Sequence, residues 1–534
     1  MSLLDVIRSW FHKPQQEPAD GGPPPASTGT TGPPANSQTV QPSNQRFVLL
    51  IHGYSSSGTD FLPWKKALEA ANIPAAIVDV GNYVTLNNEV TIKDLGEAFD
   101  RALRLNKFPG TPRGDNWSFD AIVHSTGMLV LRQWLTSDPH TGDPVRSRVR
   151  RLKHIVGLAP ATFGSPQAKK GRSWLGTLVK GNKNLGPDFM NAGDEVLDGL
   201  ELGSEYTWEL AHKDMISATP FYDKGDTTPY VAIFIGNEPY QGIAAVSNSP
   251  GTDGTVRWAG CALNARKVSL DFRRFPKLDS SDPTKRYNIT DWSSARLAAP
   301  IIAVEKKNHG TIISAPDPVV VGLIKEFLAL ADATSYLEWE KKALAAGAGP
   351  QRVMDTAGHD DSGGAGWQQL VIHMVDERGD GVPDYNFQLF FGDDLAQSDD
   401  PEFAPVRLIA DTYSSDSSYR CFYVPLTNEM LKLNANGKKM WVELIASSGS
   451  ALIEYEAYTG SENDPPQRLA IDAHSGINQM PVKMDITALT EGSGSLFYPY
   501  TTTLLEVFVE REPMPLGVVS GLFTFPPYSA EGAP

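Results

Sequence analysis

The sequence predicts an α/β fold with a mostly parallel sheet and helices on both faces, followed by a C-terminal all-β, sandwich-like domain. Three observations support this. Continuous apolar strands alternate with helical periods from Arg46 to Leu330. Ser125 stands where a strand-like run turns directly into a helix-like run. After Gly366 the helical periods stop, and short β-type runs separated by turn residues take over.

Length and composition describe an ordinary globular protein. The chain has 534 residues, 41% hydrophobic and 21% charged, which suffices for two domains or more. A formal net charge of −16 argues against a nucleic-acid partner and gives no attraction to an anionic membrane. We therefore expect no nucleic-acid binding.

The compartment is predicted from cysteines and apolar runs. The two cysteines, Cys261 and Cys421, lie far apart and form no disulfide framework, which favours a reducing compartment. No apolar run approaches the length that spans a bilayer, and the first residues lack the features of a secretory signal. The expectation is a cytoplasmic protein, or one exported without a classical signal peptide.

The N-terminal part is predicted to lie outside the folded core. Residues 1–12 place their apolar side chains on one face of a short helix, which either docks on a membrane surface or partner or packs on its own protein. Residues 13–45 are rich in Pro, Gly, Ser, Thr and Gln and predict a disordered linker.

Residues 46–335 are predicted to form the α/β domain. Its buried strands are predicted at Phe47–Ile51, Ala75–Val80, Ala121–Val123, Lys153–Leu158, Tyr230–Ile235 and Pro300–Glu305. Helices are predicted between them, at Phe61–Ala71, Thr91–Leu105, Met128–Leu135 and Val196–Met215, with a closing helix at Val319–Leu330. Residues 161–195 interrupt this alternation, and we interpret them either as a lid over an active site or as a surface helix packed on the domain.

The remainder is predicted as a connection and a second domain. Residues 336–366 are predicted to form a helix, Leu337–Ala346, followed by a Gly-rich linker. Residues 367–534 are predicted to form the β-rich domain. Asp376, Asp380 and Asp384 lack the spacing of an EF-hand loop, so a solvated turn is favoured over a calcium site. We predict no metal and no cofactor.

Ser125 has the setting of a catalytic nucleophile. A serine hydroxyl at a sharp strand-to-helix turn is held above the sheet, and the turn needs a small residue two places later, which Gly127 supplies. Val123 occupies the position where this G-x-S-x-G pattern has its first glycine.

The serine needs a base, and the base needs a carboxylate. His309 follows the last predicted strand and precedes the closing helix, which makes it the best placed of the ten histidines. Asp253 lies in a tight turn after strand Tyr230–Ile235 and is preferred over three nearby acids, Asp223, Asp226 and Glu238. For the oxyanion we expect backbone N–H donors from Thr126, after the nucleophile, and from Tyr54, in the loop after the first strand.

These motifs resemble the lipase/esterase branch of the α/β-hydrolase superfamily. The resemblance rests on Leu49–Tyr54, Val123–Gly127, Thr252–Val256 and Asn308–Ile312, and Leu200–Ser204 is similar to a stretch of bacterial triacylglycerol lipases and GPI-inositol deacylase-like proteins. It implies a carboxylic ester hydrolase acting on ester or lipid substrates, with contact to a membrane surface or lipid aggregate as a hypothesis. Alternatives are a phospholipase or inositol deacylase-like effector, and a non-catalytic binding protein on a hydrolase fold.

Overall fold

The computed structural model describes most of the two predicted domains. The described residues are 47–53, 58–78, 89–105, 108, 111, 117–140, 147–169, 194–217, 221–222, 227–241, 245, 248–273, 299–359, 363–392, 406–432, 439–450, 452–458, 467–469, 482–485 and 497–513. The predicted N-terminal helix and linker, most of the segment 161–195, and Tyr54 lie outside them. Among the described helices, none combines the length and the apolar character needed to cross a bilayer.

A six-stranded parallel sheet forms the centre of the first domain. Its strand order is β2-β1-β3-β4-β5-β7, and every neighbouring pair is parallel. The strands are β1 (Phe47–Ile51), β2 (Ala75–Val78), β3 (Phe119–Ser125), β4 (Leu152–Pro160), β5 (Tyr230–Gly236) and β7 (Ile301–Val304). Their side chains are almost all buried, as continuous apolar runs require. The predicted parallel sheet is confirmed.

Helices cover this sheet. They are α1 (Leu62–Glu69), α2 (Ile92–Arg104), α3 (Gly127–Thr136), α4 (Arg148–Arg151), α5 (Asp194–Leu200), α6 (Glu205–Asp214), α7 (Thr311–Ser314), α8 (Pro318–Leu328) and α9 (Ala333–Thr356). Helix α2 shows how local sequence fixes a boundary. Thr91 accepts a hydrogen bond from Asp94 N at 3.2 Å, and Asp94 accepts one from Thr91 N at 2.9 Å.

Two helix predictions differ from the structure. The single helix predicted at Val196–Met215 is divided into α5 and α6, because Gly203 has φ +73° and Ser204 caps α6 by accepting from Thr207 N at 3.3 Å. Helix α9 runs past the predicted end into the expected Gly-rich linker, with Pro350 inside it. Its continuation is stabilised by packing: a Cβ atom at Gly347 would lie 3.1 Å from Ile302, on β7.

The second domain consists of β-strands in two sheets. The larger sheet has the order β10-β11-β8-β16-β13-β14, the smaller has β15-β12-β9, and a second buried apolar cluster draws on both of them. The strands are β8 (Gly364–Asp376), β9 (Asp384–Gly392), β10 (Ile409–Thr412), β11 (Tyr419–Thr427), β12 (Lys439–Ser447), β13 (Ile453–Ala457), β14 (Gln467–Arg468), β15 (Val482–Asp485) and β16 (Thr502–Pro513). This arrangement agrees with the predicted β-rich domain.

The two domains share a strand and a core. Strand β6 (Ala265–Asp271) lies in the sequence of the first domain, but it pairs in parallel with β16 of the larger β-sheet. Trp367, Tyr423 and Tyr500 of the second domain belong to the same buried apolar cluster as the central parallel sheet. The β-rich domain is therefore packed into the first domain, not tethered beside it.

Candidate active site

Ser125 occupies a strained turn at the carboxyl end of β3. Its φ of +53° lies in the left-handed region, which a residue with a side chain rarely adopts. The turn also packs tightly on β1: a Cβ atom at Gly53 would lie 2.7 Å from Ser125 Cβ, and one at Gly127 would lie 2.6 Å from Ile51 O. The Ser125 side chain stays partly exposed at this edge of the sheet. Local geometry is that of a nucleophile elbow.

Val123 fits where the usual pattern has glycine. It is fully buried in β3 and lies opposite Gly157 in the register of β3 with β4. A side chain at Gly157 would meet Ile233, Pro160 and Met128, so these residues already fill the space beside the elbow. The small residue is thus supplied by the neighbouring strand.

Asp253 and His309 form a buried pair. His309 Nδ1 lies 3.0 Å from Asp253 Oδ2, and His309 N donates to Asp253 O at 3.1 Å. The other carboxylate oxygen accepts from Thr255 N at 3.0 Å and Val256 N at 2.9 Å. Asp253 is fully buried and His309 is 7% exposed. Of the competing acids, Glu238 accepts from Gln241, whereas residues 223 and 226 lie outside the described residues.

The loop that carries His309 is fixed on both sides. Asn308 Oδ1 accepts from Gly310 N at 3.2 Å and Thr311 N at 3.0 Å, which starts the short helix α7. Trp64, on α1, donates to Ile312 O at 3.1 Å. These contacts hold His309 at the carboxyl edge of the sheet, where β3 presents Ser125.

His124 connects the serine turn to His309. Its Nε2 lies 3.0 Å from His309 O, and the two rings have centroids 4.6 Å apart. Burial, and then the charges of His309 and His52, hold the pKa of His124 well below its ordinary value. The neutral ring therefore donates through Nε2 to the carbonyl.

One of the two proposed oxyanion donors can be located. Thr126 is the N-cap residue of α3, so its N–H lies at the start of a helix, where backbone donors have no partner within the helix. The Thr126 nitrogen lies beside Gly53, since a Cβ atom at that glycine would be 3.1 Å away. Tyr54 follows Gly53 directly but is not among the described residues.

Comparison with known proteins identifies the fold. No protein-family model matches the sequence, and no curated protein matches it. Among solved structures, the chain is similar to phospholipase PlaB from Legionella pneumophila, solved alone and in complex with thio-NAD. The TM-score is 0.62 at 18% identity, and the match covers 88% of this chain and 94% of PlaB. This chain has the α/β-hydrolase fold.

The similarity to two bacterial lipases is weaker. The Bacillus licheniformis lipase BlEst2 matches at 13% identity and TM-score 0.31, over 54% of this chain and 94% of that one. The Staphylococcus hyicus lipase matches at 11% identity and TM-score 0.33, over 58% of this chain and 100% of that one.

Away from the carboxyl edge of the parallel sheet, the residues considered as metal or reactive sites have structural explanations. Among the described residues, no group of three or more His, Cys, Asp or Glu side chains could hold a metal ion. Asp376 Oδ1 accepts from Arg378 N at 2.9 Å and Asp380 N at 3.0 Å, as in a closed turn. Cys261 and Cys421 are free thiols, both buried.

Proposed function

We propose that this α/β-hydrolase is a serine hydrolase that cleaves carboxylic esters. The observation that carries the proposal is the meeting of two features at one edge of the sheet. Ser125 is held in a left-handed turn, and His309, paired with Asp253 at 3.0 Å, contacts the residue next to Ser125 at 3.0 Å. In serine hydrolases a nucleophile, a base and an orienting acid lie together at such an edge of the sheet.

The proposed reaction proceeds through an acyl-enzyme. Ser125 Oγ attacks the acyl carbon while His309 Nε2 takes its proton. The tetrahedral oxyanion is held by the Thr126 and Tyr54 N–H groups. The C–O bond to the leaving alcohol then breaks, and His309 returns the proton to the alcohol oxygen. Water hydrolyses the acyl-enzyme by the same steps. Asp253 fixes the imidazole and stabilises its protonated form.

Lipid esters are the proposed substrate class, and phospholipids are the favoured candidates within it. The support is the likeness to a phospholipase over 88% of the chain, a length that takes in both domains. The resemblance of the four sequence motifs to lipases supports a lipid ester in general. On this proposal, the segment 161–195 and residues 1–12, for which the sequence predicts a helix, are the parts to examine for contact with a lipid surface.

The test compares wild type with Ser125→Ala on p-nitrophenyl butyrate, p-nitrophenyl palmitate and phosphatidylglycerol in mixed micelles. Loss of the nucleophile should lower kcat roughly 10³-fold or more on every substrate that wild type hydrolyses. Ser314→Ala is the matched control, since Ser314 is an exposed serine on α7 that bonds only locally, to Gly310 O at 2.9 Å. Circular dichroism should show both variants folded.

Two outcomes would contradict the proposal. Activity retained by a folded Ser125→Ala variant would show that another group is the nucleophile. A wild-type protein that hydrolyses none of the esters and does not react with a serine-directed phosphonate would favour a binding protein on a hydrolase fold. Activity on the butyrate ester alone would keep the serine hydrolase and remove the lipid preference.

A further inference from the structure

We infer that Tyr423, in the β-rich domain, is a positioning residue for Asp253, so that the second domain completes the active site of the first. The inference rests on the proposed function, in which Asp253 orients His309. It concerns residues 249–261, which we name the acid loop. The sequence analysis assigned no role to Tyr423.

The hydroxyl of Tyr423 joins the two ends of the acid loop. It donates to Gly251 O at 2.8 Å and accepts from Ala259 N at 3.4 Å. Gly251 O also accepts from Trp258 N at 3.1 Å. Asp253 lies between these two anchoring points in the chain, so the buried hydroxyl and the backbone hydrogen bond from Trp258 to Gly251 together close the base of the loop that carries the carboxylate.

The ring of Tyr423 is itself held in place. It stacks on Trp367 with centroids 4.6 Å apart and planes 15° apart. The guanidinium of Arg257, an acid-loop residue, lies over the Tyr423 ring at 4.7 Å. Arg257 also pairs with Asp411 and donates to Cys421 Sγ at 3.2 Å. Strands β8, β10 and β11 of the β-rich domain therefore contact this side of the acid loop.

The backbone of the acid loop at Gly251 packs closely against the rings of Tyr423 and Trp367. Gly251 has φ +69°, and a Cβ atom there would lie 2.4 Å from Tyr423 Cε1 and 2.8 Å from Trp367 Cδ2. Tyr423 is fully buried. The backbone of the acid loop thus follows the shape of two aromatic rings that belong to the other domain.

The tip of the acid loop is held by the first domain instead. Ser165 Oγ donates to Thr255 O at 2.6 Å, and Tyr240 and Thr255 share a hydrogen bond of 2.9 Å. Asp253 lies between a tip fixed by its own domain and a base fixed by the β-rich domain. Loosening the base should let the carboxylate move relative to His309, whose loop is anchored independently by Asn308 and Trp64.

This arrangement changes how the β-rich domain should be tested. Deleting the whole domain would not isolate its effect on the acid loop. Because the domains share strand pairing and a buried cluster, deletion would unfold both. Removing one hydroxyl group, that of Tyr423, is the more informative change.

The experiment is Tyr423→Phe, which removes the hydroxyl and keeps the ring. We expect kcat on p-nitrophenyl butyrate to fall about tenfold with KM changed less than about twofold, because the hydroxyl acts on the transition state through Asp253. The pH profile of kcat/KM should change together with kcat, since Asp253 acts on the proposed base. Soluble and micellar esters should lose activity equally.

Tyr385→Phe is the matched control. Tyr385 is also buried, donates to backbone carbonyls of Ile372 and Ser418 at 3.3 and 3.2 Å, and has the Arg420 guanidinium over its ring at 4.2 Å. It lies in β9, away from the acid loop. Its loss should lower thermal stability to a similar degree while kcat and the pH profile stay as in wild type.

Several outcomes would overturn the inference. The decisive one is a Tyr423→Phe variant with the kcat and pH profile of wild type or of Tyr385→Phe, while Ser125→Ala is inactive. Activity retained by Ser125→Ala would instead overturn the proposed function, and the inference with it. If Tyr423→Phe does not fold, Trp367→Phe serves as the second variant. It should lower kcat about threefold by loosening the stack, and an unchanged kcat would count against Tyr423.

Discussion

The first domain contains two buried Asp–His pairs that look alike in isolation. Asp253 and His309 are joined at 3.0 Å, and Asp120 and His154 at 2.7 Å. In both pairs the contact is between Nδ1 and a carboxylate oxygen, and all four side chains are buried. Their positions in the sheet and the contacts of the second ring nitrogen distinguish them.

The two pairs lie at opposite edges of the sheet. Asp120 and His154 are near the starts of β3 and β4, whereas His309 follows the end of β7. His154 Nε2 faces Leu330 O at 3.1 Å, and Phe327 packs on its ring at 5.2 Å, so both nitrogens are engaged. In the described part of the chain, the His309 ring forms its hydrogen bond through Nδ1 alone.

The comparison shows what makes an Asp–His pair useful for catalysis. A ring nitrogen must stay available for a proton, and it must lie at the carboxyl edge of a parallel sheet, where loops can present a nucleophile. A pair with both nitrogens engaged can only hold the structure together. Three predictions test the roles of the histidines and acids in this part of the molecule.

The largest effect should come from removing the two histidines in turn. His309→Asn should lower kcat/KM by roughly 10⁴-fold or more, because it removes the proposed base for the serine proton. His154→Leu should leave kcat within about twofold but lower the free energy of unfolding by about 3 kcal/mol, since Asp120 is left buried without its partner. Kinetics and urea unfolding measure both. A strong kinetic loss in a folded His154→Leu variant would contradict the assignment.

An intermediate effect should come from the acids. Asp253→Asn should reduce kcat by roughly 10²- to 10⁴-fold, because the amide favours the wrong tautomer of His309 and cannot stabilise its charge. Asp120→Asn should change kcat little and cost about 1 kcal/mol of stability. If Asp253→Asn kept most of its activity, another acid would have to orient His309.

The smallest effect concerns pH and His124. Its depressed pKa means that, below about pH 6.5, the unfolded chain binds a proton that the folded chain does not. The free energy of unfolding should therefore fall as pH falls, by up to about 1.4 kcal/mol per pH unit from this group. His124→Gln keeps a donor for His309 O but cannot titrate, so its stability should fall less steeply between pH 7 and pH 5.

Urea unfolding of the two proteins at several pH values measures this difference. His373, whose pKa burial lowers to about 4, contributes with the same sign to both proteins and cancels in the comparison. Equal slopes for wild type and His124→Gln would show that His124 does not resist protonation in the folded state.

Sequence patterns alone were enough to predict the parallel sheet, the serine turn and the order of the candidate triad. These features depend on local physical chemistry: apolar runs form buried strands, and a turn between strand and helix needs small residues such as Gly127. The pairing of Asp253 with His309 could be inferred too, because loops after parallel strands meet at one edge of a sheet.

Contacts between distant segments could be identified only from the tertiary structure. The ring of His124 lies against His309, 185 residues away, and β6 leaves its own domain to pair with β16. Helix α9 continues through Pro350 because packing on β7 outweighs propensity. Tyr423 reaches the acid loop from 172 residues away. No local pattern encodes such contacts, since they exist only once two hydrophobic surfaces have been buried against each other.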